Sequence, residues 1–145
     1  MLEVLQFLAT FCSAIFTGAA LYINFVEHPA RMGLDTRAAF IQWAPSYKRA
    51  TLMQAPFAVI GFIAGLFAWL LGAGVSWLIA AVLIGAVVPF TFIGIMPTNH
   101  EILAPGRDVG SAETLALLKK WGRLHAVRSV LGLCATLMLW QVVSV

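Results

Sequence analysis

The chain has 145 residues, of which 61% are hydrophobic and only 10% are charged. A soluble domain carries about a quarter charged residues, and a fold of this size has too little interior to bury so much apolar sequence. The composition therefore excludes an ordinary soluble domain and predicts a single integral membrane domain over residues 1–145. The net charge of +3 does not indicate a nucleic-acid partner, because the basic residues flank apolar segments, where they first indicate topology.

Four apolar segments are each long enough, at about 20 residues, to cross a bilayer as helices. They cover residues 4–26, 51–71, 75–96 and 124–143. The start of the chain lacks the basic region and the Ala-x-Ala cleavage site of a signal peptide, so we expect it to be retained as the first span. The fold class predicted is all-α, a four-span transmembrane helical bundle.

The lysines and arginines predict the orientation of this bundle. All nine lie in or beside the two segments that join span one to span two and span three to span four, and neither terminus carries any. The positive-inside rule places these segments in the cytoplasm and both termini on the non-cytoplasmic side. We therefore expect a multi-pass protein of a bacterial inner (plasma) membrane.

Prolines are expected to interrupt the spans. Pro29 biases His28 away from helical dihedral angles, so span one should end there. Pro89 predicts a kink within span three, where the hydroxyl of Thr91 can satisfy a freed carbonyl. Pro97 is expected to end that span.

The connections carry their own signals. Residues 29–48 are expected to form a loop, with a short interfacial helix over 37–43. Residues 98–101 have the spacing of a capping box and predict the start of another short helix. Ser111 is a candidate N-cap for a helix that continues through Trp121 into span four.

Small residues four apart allow helices to approach closely. Ala14 and Gly18 form such a pair in span one, and Gly61 and Gly65 form one in span two. These faces suit packing within one bundle or between subunits, so a homo-oligomer is one of two interpretations.

The residues best suited to a functional site converge where the basic segments meet the spans. On a helix, Trp121, His125 and Ser129 are successive i, i+4 positions and Arg128 lies three residues after His125, so all four share a face. Arg128 would lie about one turn inside the apolar zone, where a cation is costly unless it faces protein or a water-filled cavity. The same end of the bundle should receive further polar residues: Asn24, Glu27, His28, Tyr47 and Asn99.

Several polar and aromatic residues at this end of the bundle also have a purely structural explanation. Arg31 and Trp43 are expected to be interfacial anchors, the first on lipid phosphates and the second in the aromatic belt. A buried pairing of Glu27 with Arg128 would satisfy both charges and could simply lock the bundle.

A metal site is the least supported alternative. His28 and His125 could hold a metal together with a carboxylate such as Glu27, or could be the two axial ligands of a haem. However, the sequence has neither an HExxH nor a CxxCH motif, and it has no Gly-rich nucleotide loop. We therefore expect no metal or other cofactor.

Four stretches, in order along nearly the whole chain, resemble the anthrone oxygenase-like membrane family (DUF1772). They are Val-Glu-His-Pro-Ala-Arg at 26–31, Tyr-Lys-Arg-Ala-Thr-Leu-Met-Gln-Ala-Pro at 47–56, Pro-Phe-Thr-Phe at 89–92 with Met-Pro-Thr-Asn at 96–99, and Trp-Gly-Arg-Leu-His-Ala-Val-Arg at 121–128. Members are small four-span proteins, and the fungal ones oxidise anthrones to anthraquinones. The resemblance implies an oxygenase.

The chemistry of an anthrone indicates which residues such an enzyme needs. A base removes a proton from the acidic methylene, and the resulting enolate can react with dioxygen without a metal or flavin. The enzyme must supply the base and a cation or hydrogen-bond donors for the enolate oxygen. As a hypothesis, His125 is the base, with His28 as second choice. Arg128, Asn99 and Tyr47 would stabilise the oxyanion.

An apolar slot completes the predicted site. Trp121 would flank the substrate ring, and Asn24 and Glu27 would contribute to substrate binding. The expected partners are a lipophilic small molecule and the lipid bilayer, and no nucleic acid. The competing interpretation is a non-enzymatic protein that binds a lipid or quinone, or a subunit of a membrane complex.

Overall fold

The computed structural model describes residues 1–143, which form four helices and contain no strand within that range. The helices are α1 (Leu2–Met32), α2 (Thr36–Ala73), α3 (Val75–Ile102) and α4 (Ala112–Val143). The prediction of a single domain over 1–145 extends to residues 144 and 145, which lie outside the described range.

Two of the helices contain one π-helical turn, a wide turn that changes the register of the side chains after it. These turns are Ile23–Glu27 in α1 and Thr91–Ile95 in α3. The last segment of α2, Trp69–Ala73, contains Gly72 at a φ of 91°, outside the helical region. The α-helical parts are Leu2–Tyr22, His28–Met32, Thr36–Ala68, Val75–Phe90 and Met96–Ile102.

The helices continue past Pro29 and Pro97, near which the sequence predicts the ends of spans one and three; the ends of the spans themselves stay predictions. Both prolines lie inside continuous helices, and each is the second residue after a π-helical turn. Each therefore lies in the first turn of a new α-helical piece, where a missing N–H costs least. Pro89 also lies inside α3, and the hydroxyl of Thr91 donates to the carbonyl of Val87 at 2.7 Å.

The first connection is much shorter than predicted. Only residues 33–35 separate α1 from α2, so the predicted loop over 29–48 and the separate helix over 37–43 are wrong. The side chain of Asp35 accepts a hydrogen bond from the backbone N–H of Ala38 at 3.0 Å, which caps α2. From this cap α2 runs through Pro45 and Pro56.

Of the two helix caps predicted in the second half of the chain, one is confirmed and one is wrong. The hydroxyl of Ser111 accepts from the backbone N–H of Thr114 at 3.2 Å, and α4 begins at the next residue, which confirms Ser111 as its N-cap. Thr98, in contrast, lies inside α3, and its buried hydroxyl has no partner in the part of the chain that is described. The predicted capping box at 98–101 is therefore wrong.

The four helices pack in a ring in which α1 and α3 each contact α2 and α4. Gly61 lets α2 approach α1, since a Cβ there would lie 3.2 Å from Ser13 Oγ. Gly65 does the same towards α3, where a Cβ would lie 3.1 Å from Ala81 Cβ. The small-residue face of α2 thus serves packing within the chain, whereas Gly18 of α1 has open space around it.

The length and composition of α1, α2 and α3 are sufficient to cross a membrane, as expected of a membrane protein. The predicted fourth span, 124–143, is the later part of α4. The number of spans and the orientation of the termini stay predictions. The site lies where α1 and α3 end and α2 and α4 begin.

Candidate functional site

Trp121 is the centre of an aromatic cluster at this end of the molecule. Its buried ring lies 5.0 Å from the ring of His125 and 5.3 Å from that of His28, measured between centroids. Trp43 meets it edge-on at 5.8 Å, and Tyr47 stacks on Trp43 at 4.5 Å. Trp43 is completely buried, so its predicted place in the aromatic belt is wrong: the extension of α2 brings it into the core.

His125 is buried, and one side of its ring is held by α1. Its Nδ1 lies 2.7 Å from Oδ1 of Asn24, and the hydroxyl of Ser129 donates to the same oxygen at 2.5 Å. The amide nitrogen of Asn24 donates to the backbone carbonyl of Gly122 at 3.1 Å. His125 and Ser129 therefore share a helix face, as predicted, and Asn24 joins that face to α1.

Arg128 is a buried cation without an acidic partner among the described residues. Arg128 is only 7% exposed. Its Nη2 donates to Oε1 of Gln54 at 3.0 Å. The guanidinium carbon lies 5.4 Å from the ring centroid of Phe16, and Nε has no partner within residues 1–143. The suggested pairing with Glu27 is wrong, because Glu27 is engaged elsewhere.

Glu27 pairs with Arg31, which follows it by one helical turn. Arg31 is only 3% exposed, so it is not the predicted interfacial anchor. The start of α2 covers it. Its guanidinium contacts the side chains of Glu27, Gln42, Ser46 and His28, the last at Nδ1 and 3.2 Å.

A cavity of about 340 Å³ adjoins the aromatic cluster. This volume lies in the range of small-molecule sites. Five predicted site residues line it: Tyr47, Asn99, Trp121, His125 and Arg128. The other lining residues include the apolar side chains of Ile23, Ala50, Leu52, Ile95 and Met96. Oδ1 of the buried Asn99 has no partner within the described chain. The cavity therefore combines apolar walls with a few unsatisfied polar groups.

Three predicted site residues lie elsewhere. His28 packs against Gly122, where a Cβ would lie 2.5 Å from the His28 Cδ2 atom. Asn24 lies behind His125, and Glu27 lines a second cavity of about 770 Å³ between α1 and α2. The structure thus brings five of the eight predicted site residues to one cavity, and places these three around it.

Sequence reasoning missed Gln42 and treated Ser46 as part of a loop. Both contact the ion pair of Glu27 and Arg31. They are i, i+4 positions and share a helix face once α2 is extended back to its beginning. The signal that could have found them is Asp35, a good N-cap residue directly before nine residues that contain neither proline nor glycine.

His28 and His125 are also the two residues of the metal alternative. In the described residues, no group of three or more His, Cys, Asp or Glu side chains is placed to hold a metal ion. The Nδ1 atoms of His28 and His125 face Arg31 and Asn24, respectively. Their Nε2 atoms would have to supply any ligand bond.

Three helices that are apolar enough to span a membrane, together with a largely apolar cavity that some polar side chains line, are compatible with a helical membrane protein. Comparison with known proteins identifies its family. A family model described as anthrone oxygenase matches residues 43–138, and the chain belongs to the anthrone oxygenase family. No solved structure matches the chain.

Three fungal relatives named anthrone oxygenase illustrate the similarity. One from Cryptosporiopsis sp. is 30% identical over 141 residues, which cover 90% of this chain and 80% of the relative. One from Pestalotiopsis fici is 32% identical over 122 residues, with 70% and 85% covered. One from Aspergillus fumigatus is 36% identical over 70 residues, which are 46% of this chain and 44% of that protein.

Proposed function

We propose that this protein is a membrane oxygenase that oxidises a lipophilic anthrone, phenol or quinol with dioxygen at the cytoplasmic face, without a metal or flavin. One observation carries the proposal: a histidine, His125, and a buried arginine without an acidic partner in the described chain, Arg128, line the same largely apolar cavity. The names of the fungal relatives support the reaction class.

The first step is removal of a proton from the methylene carbon of the anthrone. His125 accepts this proton, and the electron pair is delocalised onto the carbonyl oxygen as an enolate. Arg128 stabilises the negative charge on that oxygen, with the amide of Asn99 and the hydroxyl of Tyr47 as further donors. A well-placed donor of this kind contributes about 10²- to 10³-fold in rate.

Dioxygen is the oxidant in the second step. The enolate carbon transfers its electrons to dioxygen and forms a C–O bond, and the resulting peroxide takes up a proton to give a hydroperoxide. Loss of the remaining C–H proton and cleavage of the O–O bond release water and leave a ketone. One dioxygen is consumed and one water is formed for each anthrone converted to a quinone.

The base assignment is tested with purified protein in mild detergent and 1,8-dihydroxyanthrone, with oxygen uptake and quinone absorbance as readouts. We expect His125→Ala to reduce the rate to that of the uncatalysed oxidation. His100→Ala is the matched control, because His100 is exposed and lies outside the lining of the cavity. Wild-type turnover by His125→Ala would remove His125 from the mechanism.

A second candidate function is binding of a quinone or lipid without turnover. It is favoured by two residues that line the cavity and carry a buried N–H group with no partner in residues 1–143, Trp121 at Nε1 and Arg128 at Nε, since such groups suit the carbonyl oxygens of a quinone. Saturable quinone binding without anthrone-dependent oxygen uptake would support this function.

A haem or metal held by His28 and His125 would be detected by metal analysis and by a visible absorption band that is lost in His125→Ala.

A further inference from the structure

We propose that Asn24 and Ser129 are positioning residues that set the tautomer of His125, so that its ring carries the proton on Nδ1 and the lone pair on Nε2. The inference rests on the proposed function in giving His125 the role of base. It differs from the sequence-based role of Asn24 in substrate binding, since Asn24 does not line the cavity that His125 lines and instead lines, with Ser129, a separate cavity of about 350 Å³.

The backbone carbonyl of Gly122 fixes the orientation of the Asn24 amide. A carbonyl oxygen can only accept a hydrogen bond, so the group of Asn24 that faces it at 3.1 Å must be the amide nitrogen. The amide oxygen of Asn24 then faces His125. The other orientation of the amide would set two oxygen acceptors against each other, so Gly122 fixes which end of Asn24 the histidine meets.

The orientation of Asn24 decides the tautomer of His125. Since the amide oxygen only accepts, the Nδ1 atom of His125 at 2.7 Å must carry a proton. In the neutral ring, Nε2 is then the unprotonated nitrogen. No hydrogen bond to Nε2 of His125 occurs among the described residues, so this nitrogen is available to accept a proton.

Ser129 strengthens the same arrangement. Its hydroxyl donates to the amide oxygen of Asn24 at 2.5 Å, so this oxygen receives two donors from one face of α4. Asn24 lies in the π-helical turn Ile23–Glu27. Such turns frequently occur at functional sites, because they change the direction of the side chains.

The other buried histidine has the opposite arrangement. Nδ1 of His28 faces Nη1 of Arg31 at 3.2 Å, and an arginine can only donate. Nδ1 of His28 must therefore accept, which places the proton of the neutral ring on Nε2. The chain thus contains an internal control: two buried histidines that contact the same tryptophan and are predicted to be opposite tautomers.

The tautomers can be measured directly by NMR on protein labelled with ¹⁵N-histidine in detergent micelles, with resonances assigned by His→Ala variants. We expect the Nδ1–H pattern for His125 and the Nε2–H pattern for His28. Asn24→Ala should move His125 to a mixture and leave His28 unchanged. An Nε2–H pattern for His125 in the wild type, or an unchanged pattern in Asn24→Ala, would overturn the proposal.

Kinetics provide the second readout. Asn24→Ala should lower kcat for the anthrone by at least about tenfold, since a catalytic histidine in the wrong tautomer loses up to about 10⁴-fold, with little change in KM. A changed tautomer with unchanged kcat would overturn the positioning role. If His125→Ala itself turns over normally, the proposed base fails, whereas the NMR result still decides the tautomer.

Discussion

We expect replacement of Arg128, together with its partner Gln54, to lower the catalytic activity without lowering the free energy of unfolding. The guanidinium is buried, and the acceptor it has in the described chain is the neutral amide of Gln54. Arg128→Met removes a buried cation without breaking an ion pair and keeps a long apolar side chain in its place. It also leaves Oε1 of Gln54, a residue only 1% exposed, without a donor, which costs about 1–3 kcal/mol.

The double variant Arg128→Met with Gln54→Leu removes that unsatisfied group as well. Replacing buried charged and polar groups by apolar ones of similar size is often neutral, or stabilising by about 1–4 kcal/mol. We therefore expect the free energy of unfolding of the double variant to equal or exceed that of the wild type. Its kcat/KM for the anthrone should fall by about 10²- to 10³-fold, which is about 3–4 kcal/mol of transition-state stabilisation.

Thermal unfolding followed by tryptophan fluorescence in mild detergent gives the stability, and anthrone-dependent oxygen uptake gives the activity. Arg128→Lys is the matched control, because it keeps the charge but loses the planar fork of donors, and it should retain intermediate activity. A double variant that unfolds at a clearly lower temperature and still turns over at the wild-type rate would refute the reasoning, since Arg128 would then be a structural residue.

Two further predictions concern stability and use the same unfolding assay. Gly122→Ala should destabilise the protein by about 1–3 kcal/mol, because the new Cβ would meet the ring of His28, whereas Gly18→Ala has open space and should stabilise it by up to about 1 kcal/mol. Glu27→Gln leaves a buried arginine without its carboxylate and should cost about 3 kcal/mol. Glu113→Gln breaks a pair whose acid is 76% exposed and should cost less than about 1 kcal/mol. Equal effects within either pair would contradict the packing and charge assignments.

Local sequence signals were sufficient for the part of the site that lies on one helix. The cap at Ser111 and the spacing of Trp121, His125 and Ser129 predict a single helix with these side chains on one face, and α4 has that form. This works because periodicity and capping depend on residues within one or two turns.

The prolines show where local rules fail. The rule for single residues predicts that a helix ends at Pro29 and at Pro97. Each of these prolines instead follows a π-helical turn and lies in the first turn of a further α-helical piece. The rule for single residues takes no account of such a turn. The consequence reaches the site, because the turn before Pro29 contains Asn24.

Contacts between helices account for the remaining differences. Sequence position near a span end indicates an interfacial role for Arg31 and Trp43, but the first turns of α2 fold over α1 and bury both. Likewise, Asn24 is a polar residue near the site by sequence, and its hydrogen bonds to His125, Ser129 and Gly122, on which the proposed positioning role rests, are made between helices.

The proposed oxygenase activity is tested most directly by isotope incorporation. Purified protein, shown by metal analysis to be free of bound metal, is given an anthrone under ¹⁸O₂, and the quinone is analysed by mass spectrometry beside a heat-denatured control. The account predicts formation of quinone above the control, with one ¹⁸O atom at the oxidised carbon and one dioxygen consumed per quinone. Quinone formation no faster than in the control, or turnover that appears only with added metal, would contradict it.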